Sequence, residues 1–444
     1  MASAAEQLAS NLSWSAFGKA KELQSRILFT LGLLIVYRLG TYIPMPGIDP
    51  EQLARFIEQT SGGILGVFNM FAGGAVGRMA IFALGIMPYI SASIIMQLLT
   101  SMVPSLEALK KEGEQGRKKI NQYTRYGTVL LATVQAYGIA VGLEGQGLAL
   151  DPGLFFRASA VITLVGGTMF LMWLGEQITA RGVGNGISLI IYVGIIAELP
   201  AALAQFFELG RTGQLNALVI VAVLIGAAAV IAGVVFIERA QRRILIQYPK
   251  RQVGMKMYGG DTSHLPLKVN TAGVIPPIFA SSLLLLPATI AGFSPEGGGD
   301  ILGPVLALLG RGQPLFLALF VALIVFFSFF YTAVVFNPDD VAENLKKHGG
   351  FVPGIRPGKR TAEYLDYVLT RLTVVGAIYL SFICVLPELL IAELAVPFYF
   401  GGTSLLIVVS VTMDFITQVQ SHLLAHQYGD LIEKSKLRGR GKRR

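Results

Sequence analysis

The stretch LNALVIVAVLIGAAAVIAGVVFI, residues Leu215–Ile237, contains no charged residue and decides the fold class. Its length suits a helix that crosses a hydrocarbon core of about 30 Å. A second uncharged run, Leu315–Phe336, has the same character. Of the 444 residues, 53% are hydrophobic and 14% are charged, whereas soluble domains carry about 25% charged residues. The sequence therefore predicts an all-α membrane protein, because only a bilayer can surround this much apolar surface.

Apolar windows of about 20 residues recur along the chain and predict ten transmembrane helices. The windows are 26–43, 79–100, 124–143, 155–174, 186–207, 215–237, 272–292, 315–336, 368–387 and 401–420. An even number of spans places both termini on one side of the membrane. Of the 36 lysines and arginines, the opposite side would hold only Arg38, Arg55, Arg78, Arg157, Arg211 and Arg311. Because basic loops stay in the cytoplasm, both termini are predicted to be cytoplasmic.

The same count suggests how the chain is divided. Ten spans allow two five-helix halves, of which the second would be inverted relative to the first. The predicted parts are a cytoplasmic N-terminal segment 1–25, an N-terminal half 26–207, a C-terminal half 208–420 and a basic cytoplasmic tail 421–444. The second half contains two long cytoplasmic loops, 238–271 and 337–367, and loops of this length are usually functional or disordered.

On the outer side, the apolar and Gly-rich stretch Gly62–Gly74 is too short to span a membrane. We interpret it as a re-entrant segment, because a backbone at membrane depth must be covered by protein. A lipid-facing interfacial loop is the alternative. The glycines would give the segment the freedom to leave and return.

The sequence shows no catalytic pattern. Gly358-Lys359 is the nearest match to a phosphate-binding loop, but Arg360 follows it and Pro353 stands where the first glycine belongs. Cys384 is the only cysteine, and no His-Glu-x-x-His pattern or cysteine pair suggests a metal site. We therefore expect neither a cofactor nor enzymatic activity, so a partner must supply any energy.

Five groups of motifs follow one another in an order typical of one family. They are Phe82–Ile94 with Gln97, Gly175–Ser188, His264–Asn270 with Gly273–Pro276, Asn344–Lys347 with Phe351–Gly358, and Gly401–Ile407 with Met413–Phe415. Together they resemble the SecY family, whose bacterial members are the pore subunit of the Sec protein translocase. The resemblance implies two inverted five-helix halves around a central hourglass pore, with a re-entrant plug. It also implies a channel that passes unfolded secretory polypeptides across the bacterial cytoplasmic membrane and releases membrane-protein helices laterally into it.

The resemblance implies roles for individual residues. A pore ring of bulky aliphatic side chains, which would block ions by dewetting, falls on Ile86, Ile90, Ile187, Ile191, Ile278 and Ile407. A plug near 62–77 includes Gly62, Gly63, Phe68, Asn69, Met70, Phe71, Gly73 and Gly74. A lateral gate between spans 2 and 7 includes Ser91, Ser93, Gln97, Asn270 and Pro276, and Pro276-Pro277 would permit a kink.

The residue types by themselves are also compatible with ordinary structural roles at these positions. A single isoleucine in a membrane helix usually faces lipid or a neighbouring helix. Helix packing or capping would account for Gln97 and Asn270 equally well.

The partners that the resemblance implies bind mainly at the cytoplasmic loops. The docking candidates for the motor ATPase SecA and for the ribosome are Arg242, Arg243, Lys250, Arg251 and Arg356. The topological alternative is that any cytoplasmic loop carries lysine and arginine. The subunits SecE and SecG would complete a heterotrimer, polypeptides with signal peptides would be the substrates, and the basic tail would contact anionic lipid.

Two other function classes remain to be weighed. An ion-coupled secondary transporter also combines inverted repeats with broken helices, but it usually places ionisable residues at mid-membrane. Here Arg38, Glu198, Glu388 and Asp414 fall near predicted span ends. An intramembrane enzyme would need a catalytic constellation, and none is recognisable. Glu198 matches no motif of the family and has no predicted role.

Overall fold

The computed structural model describes residues 20–53, 55, 69, 71–213, 216–249, 251–253, 256–258, 262–292, 313–394 and 402–440. Most of these residues are helical. The helices are α1 (Lys21–Gly40), α2 (Met87–Met102), α3 (Pro104–Lys111), α4 (Glu114–Gly145), α5 (Leu154–Arg181), α6 (Gly186–Arg211), α7 (Ala217–Arg239), α8 (Ile275–Gly292), α9 (Pro314–Val335), α10 (Pro338–Lys347), α11 (Lys359–Leu394) and α12 (Gly402–Arg440). The strands are β1 (Gln241–Gln247), β2 (Arg251–Val253), β3 (Lys256–Tyr258) and β4 (Thr262–Lys268).

Eight helices of the described residues are long and apolar enough to cross a membrane, namely α1, α4, α5, α6, α7, α9, α11 and α12. The shorter α2 bends by 98° into α3, and this pair would make a ninth span. Each of the ten predicted windows overlaps a helix, with α2 and α8 in the second and seventh windows. The predicted all-α membrane class is confirmed, and the count of ten spans stays a prediction.

The second span begins later than the sequence predicts. Residues 72–79 and 81–86 form turns, and α2 starts only at Met87. Within the predicted window, Met79 and Gly85 have φ values of +41° and +57°. A right-handed helix cannot contain such residues, so the predicted helical start near residue 79 is wrong.

The first long loop contains β-structure that the sequence analysis did not predict. β1 pairs antiparallel with β4, in a register from Gln241↔Lys268 to Gln247↔Thr262, and β2 pairs with β3. On β1, Ile244 and Ile246 are buried whereas Leu245 is exposed. This alternation is the expected signal of a half-buried strand.

The described residues form two compact units. The first unit comprises those within Met1–Tyr89, Gly127–Pro200 and Val411–Arg444, and the second those within Ile90–Tyr126 and Ala201–Ser410. The first has a core that includes the fully buried Leu164, Leu171 and Ile178. The second includes the fully buried Ile324 and Leu380. Burial of such a side chain contributes about 1.5–3 kcal/mol.

Candidate functional site

The two long loops of the second unit fold into one structure, here called the ribbon module, which comprises β1, β4, α10 and residues 348–358. Gln247 and Phe351 exchange two backbone hydrogen bonds, with N···O distances of 2.9 and 3.0 Å. Beneath them, Ile244, Leu267, Val352 and Leu365 form a shared buried cluster. The ribbon and the turn-rich tip of the second loop are therefore held together by backbone pairing and a common core.

The ribbon module carries several of the predicted docking residues on its surface. Arg242 and Arg243 are exposed on β1, and Arg356 is exposed at the tip. Ile355 packs against the buried cluster, and Thr361 Oγ1 donates to the Arg356 carbonyl at 3.0 Å. The backbone on both sides of Arg356 is thus anchored while its guanidinium faces outward.

Two docking candidates of the first loop are less completely described. Lys250 lies outside the described residues, and only the backbone of Arg251, on β2, is described.

The predicted gate residues of α2 differ in their surroundings. Ser91 is buried, and Ser93 and Gln97 are half-buried. The Gln97 Oε1 atom is buried and accepts no hydrogen bond from any described residue. A buried amide oxygen without a donor costs free energy, so this position favours any partner that can donate a hydrogen bond.

Asn270 joins the end of α7 to the start of α8. Its Nδ2 donates to Glu238 Oε1 at 2.7 Å and to the Gly273 carbonyl at 3.0 Å. Its backbone also lies close to α11, because a Cβ added at Gly376 would be 3.6 Å from Asn270 Cα. Asn270 is therefore a buried and hydrogen-bonded link between neighbouring elements.

Pro276 does not interrupt the seventh span. α8 begins at Ile275, so Pro276 and Pro277 lie in its first turn. Amide groups there have no acceptor within the helix, and proline is favoured for that reason. The two prolines therefore begin the helix and do not kink it. The kink that the sequence position of Pro276-Pro277 would permit is not formed by them.

The six isoleucines of the predicted pore ring lie away from the molecular surface. Ile86, Ile90, Ile191, Ile278 and Ile407 are buried, and Ile187 is half-buried. For comparison, Phe236 on α7 is 77% exposed. The burial excludes a lipid-facing orientation for the five buried side chains. Because Ile86 precedes the first residue of α2, its four-residue spacing from Ile90 does not place both on one helical face.

The structure describes part of the predicted plug. Asn69, Phe71, Gly73 and Gly74 lie within the described residues, and the other four predicted plug residues lie outside them, namely Gly62, Gly63, Phe68 and Met70. Phe71 is buried, and its carbonyl would lie 3.2 Å from a Cβ added at Gly194 of α6. The described end of the segment thus packs closely on α6, which agrees with the predicted cover of this backbone by protein.

The sequence predicts no role for Glu198. Its carboxylate lies between Arg38, in the last turn of α1, and Arg78, in the turns before α2. The predicted topology could have identified this cluster, because Glu198, Arg38 and Arg78 were all predicted to lie near the outer ends of spans. Opposite charges confined to one end of a helix bundle tend to pair.

Comparison with known proteins agrees with the motifs. The SecY family model matches residues 80–416. The protein translocase subunit SecY of Pseudomonas aeruginosa is 58% identical over 431 residues, which cover 97% of this chain and 98% of that protein.

Two solved structures have the same fold. One is a SecY protein described by its plug domain, which stabilises the closed state of the translocation channel and maintains a membrane seal. It has a TM-score of 0.63 at 21% identity, covering 89% of this chain and 92% of that chain. The other is the channel of a canine ribosome–channel complex from the endoplasmic reticulum, with a TM-score of 0.60 at 19% identity and the same coverage. From the family match and the full-length relative, the chain belongs to the SecY family.

Proposed function

We propose that the protein is the channel subunit of a bacterial protein translocase. It would pass unfolded secretory polypeptides across the cytoplasmic membrane and release membrane-protein helices laterally into the bilayer. The observation that carries the proposal is the 58% identity, over nearly the whole of both chains, to the translocase subunit of Pseudomonas aeruginosa. The motor ATPase or the ribosome would supply the energy.

The proposed constriction is the ring Ile86, Ile90, Ile187, Ile191, Ile278 and Ile407. Bulky aliphatic side chains offer no ligand to replace the hydration shell of an ion, and a narrow apolar passage dewets. The same side chains can move apart around a polypeptide without binding it. The burial of five of the six supports the assignment.

The proposed plug is the segment 62–77, which would close the outer side of the channel. The burial of Phe71 and the close approach of this backbone to Gly194 support the proposal. The similar SecY protein whose plug domain maintains a membrane seal gives further support.

The proposed lateral gate is formed by spans 2 and 7, with Ser91, Ser93, Gln97, Asn270 and Pro276 beside it. Interhelical hydrogen bonds in membranes contribute about 1 kcal/mol each, a strength that suits a seam which must reopen. The buried Gln97 Oε1, without a donor among the described residues, supports a surface with exchangeable partners.

The ribbon module is the proposed docking surface for the motor ATPase SecA and for the ribosome. Exposed Arg242, Arg243 and Arg356 support it, because guanidinium groups bind carboxylates and phosphates with matched geometry. The similar canine channel was solved with a ribosome. We further propose that SecE and SecG are companion subunits and that the basic tail contacts anionic lipid. The chain would consist of two inverted halves, 26–207 and 208–420, with both termini in the cytoplasm.

Site-specific crosslinking to an arrested secretory chain tests the proposed function. We expect a photoreactive residue at Ile90 or Ile278 to crosslink to the chain, because both side chains would line its path. The control is Phe236, which is exposed on α7 and should crosslink to lipid or to a neighbouring subunit. Absence of crosslinks at Ile90 and Ile278, or equal yields at Phe236, would contradict the proposal.

A further inference from the structure

An ion cluster in the first unit joins three elements. The Glu198 Oε1 atom of α6 lies 3.9 Å from Arg38 Nη2 and 4.0 Å from Arg78 Nη2. The three side chains are partly covered, with exposed fractions of 25% for Arg38, 37% for Arg78 and 27% for Glu198. One carboxylate therefore faces two guanidinium groups at a site from which water is partly excluded.

The cluster holds the backbone at the end of the proposed plug. Arg38 Nη1 donates to the Gly73 carbonyl at 2.5 Å. A Cβ added at Gly74 would collide with Glu198 Oε1, so this backbone lies directly against the carboxylate. The positive φ values of both glycines belong to a conformation that other residues rarely adopt. The Gly73-Gly74 turn is thus hydrogen-bonded to Arg38 and packed against Glu198.

Asn69 is hydrogen-bonded both to the Gly73-Gly74 turn and to the residue before Arg78. The Gly74 amide donates to the Asn69 carbonyl at 2.8 Å, and the Gly77 amide donates to Asn69 Oδ1 at 2.6 Å. Asn69 belongs to the proposed plug, and Gly77 directly precedes Arg78. A displacement of the cluster would therefore be transmitted to the plug through the two hydrogen bonds to Asn69.

Glu198 balances a local excess of positive charge. The guanidinium carbons of Arg38 and Arg78 lie 5.0 and 4.1 Å from the centroid of the Tyr42 ring, so both cations share one aromatic side chain. Among the described residues, no other acidic side chain forms an ion pair with either arginine. Without the Glu198 charge, two cations would remain close together, and their repulsion is stronger where water is partly excluded.

We propose that Glu198 is a positioning residue for gating. It keeps Arg38 on the Gly73 carbonyl and ties Arg78 of the 73–78 segment to α6, and so keeps the plug seated while the channel is idle. The inference rests on the proposed function, because it requires that segment 62–74 closes a channel. Partly exposed ion pairs near 4 Å are weak, which suits a contact that must break when a polypeptide enters. A purely structural ion pair would instead alter the amount of folded protein and leave gating unchanged.

The test is the resting ion current of the purified complex in planar bilayers. We expect Glu198→Gln to raise the mean current about fivefold, which corresponds to about 1 kcal/mol of lost closed-state stability. Glu198→Asp keeps the charge and should restore most of the low current. Glu208→Gln is the matched control, because Glu208 is an exposed glutamate on the same helix that pairs with Arg211. In cells, Glu198→Gln should also increase export of a reporter with a defective signal peptide.

Deletion of 62–74 separates failure of this inference from failure of the proposed function. The deletion variant should have a raised resting ion current. Glu198→Gln should not raise this current further in the deletion variant, because the ion cluster then has no plug to hold. A leaking deletion combined with a normal current in membrane-inserted Glu198→Gln would overturn the inference and leave the channel intact. A deletion that does not leak would overturn the plug and the inference together. If the Glu198→Gln protein does not accumulate, Arg38→Gln tests the same ion cluster. A normal resting current in the Arg38→Gln variant would overturn the inference.

Discussion

At the scale of single residues, exposure separates side chains that pack from side chains that can bind. Ile407 and Ile191 are buried, so their chemistry can act only inside the molecule. Arg356 is exposed at a tip whose neighbours Ile355 and Thr361 fix the backbone. A substitution of Arg356 therefore changes surface charge without removing a contact of the core.

We expect Arg356→Glu to reduce export driven by the motor ATPase at least about tenfold, because a reversed charge repels an acidic partner and leaves its carboxylate unpaired. Export of a reporter in membrane vesicles with added ATPase measures the effect. The variant should insert in normal amounts, since Arg356 is exposed. Arg211→Glu is the control, because Arg211 is highly exposed on another element. Normal export by Arg356→Glu would refute the docking role.

At the scale of elements, close helix packing depends on individual glycines. Gly167 on α5 is buried, and a Cβ added there would collide with the backbone carbonyl of Ile81. Its neighbour Gly166 is exposed, and nothing lies within 4 Å of a Cβ added to it. Adjacent glycines of one helix thus have opposite roles, and the turns before α2 pack where Gly167 leaves room.

We expect Gly167→Ala to destabilise the protein by about 1–3 kcal/mol, because a backbone carbonyl cannot move aside as a flexible side chain can. Gly166→Ala should be neutral or stabilising by up to about 1 kcal/mol, because alanine favours the helix. Thermal unfolding in detergent, followed by circular dichroism, compares the two variants. Equal unfolding temperatures would contradict the packing of α5 on the turns at Ile81.

At the scale of the whole molecule, an idle channel must hold back ions while its polypeptide path remains available. In the proposed channel, aliphatic side chains form the narrow seal, and the plug closes the outer side. The plug ends in the turns at 72–79, which precede α2. Its removal should therefore weaken the seal without unfolding the spans.

We expect deletion of 62–74 to raise the resting ion current several-fold, because the aliphatic ring would then be the remaining barrier to ions. Planar bilayer recordings of the purified complex measure this current. The control removes the same number of residues from 293–312, a stretch that contains none of the predicted pore, plug, gate or docking residues. A resting conductance unchanged by the deletion would refute the plug assignment.

Local composition predicted the spans because the cost of burying charge in lipid adds up residue by residue. Leu215–Ile237 became α7, shifted by only two residues at each end. The start of α2 was missed because the positive φ values at Met79 and Gly85 depend on packing, which hydropathy does not register. The pairing of β1 with β4 was missed although the alternation at Ile244 and Ile246 was readable.

The sequence by itself determined the membrane class and the approximate positions of the helices, since each depends on a sum of local transfer energies. Only the tertiary structure decided that Glu198 faces Arg38 and Arg78, and that Gln247 pairs with Phe351. These partners are far apart along the chain. Their contact depends on distances that are set only when the chain folds, so the local sequence around either residue does not predict it.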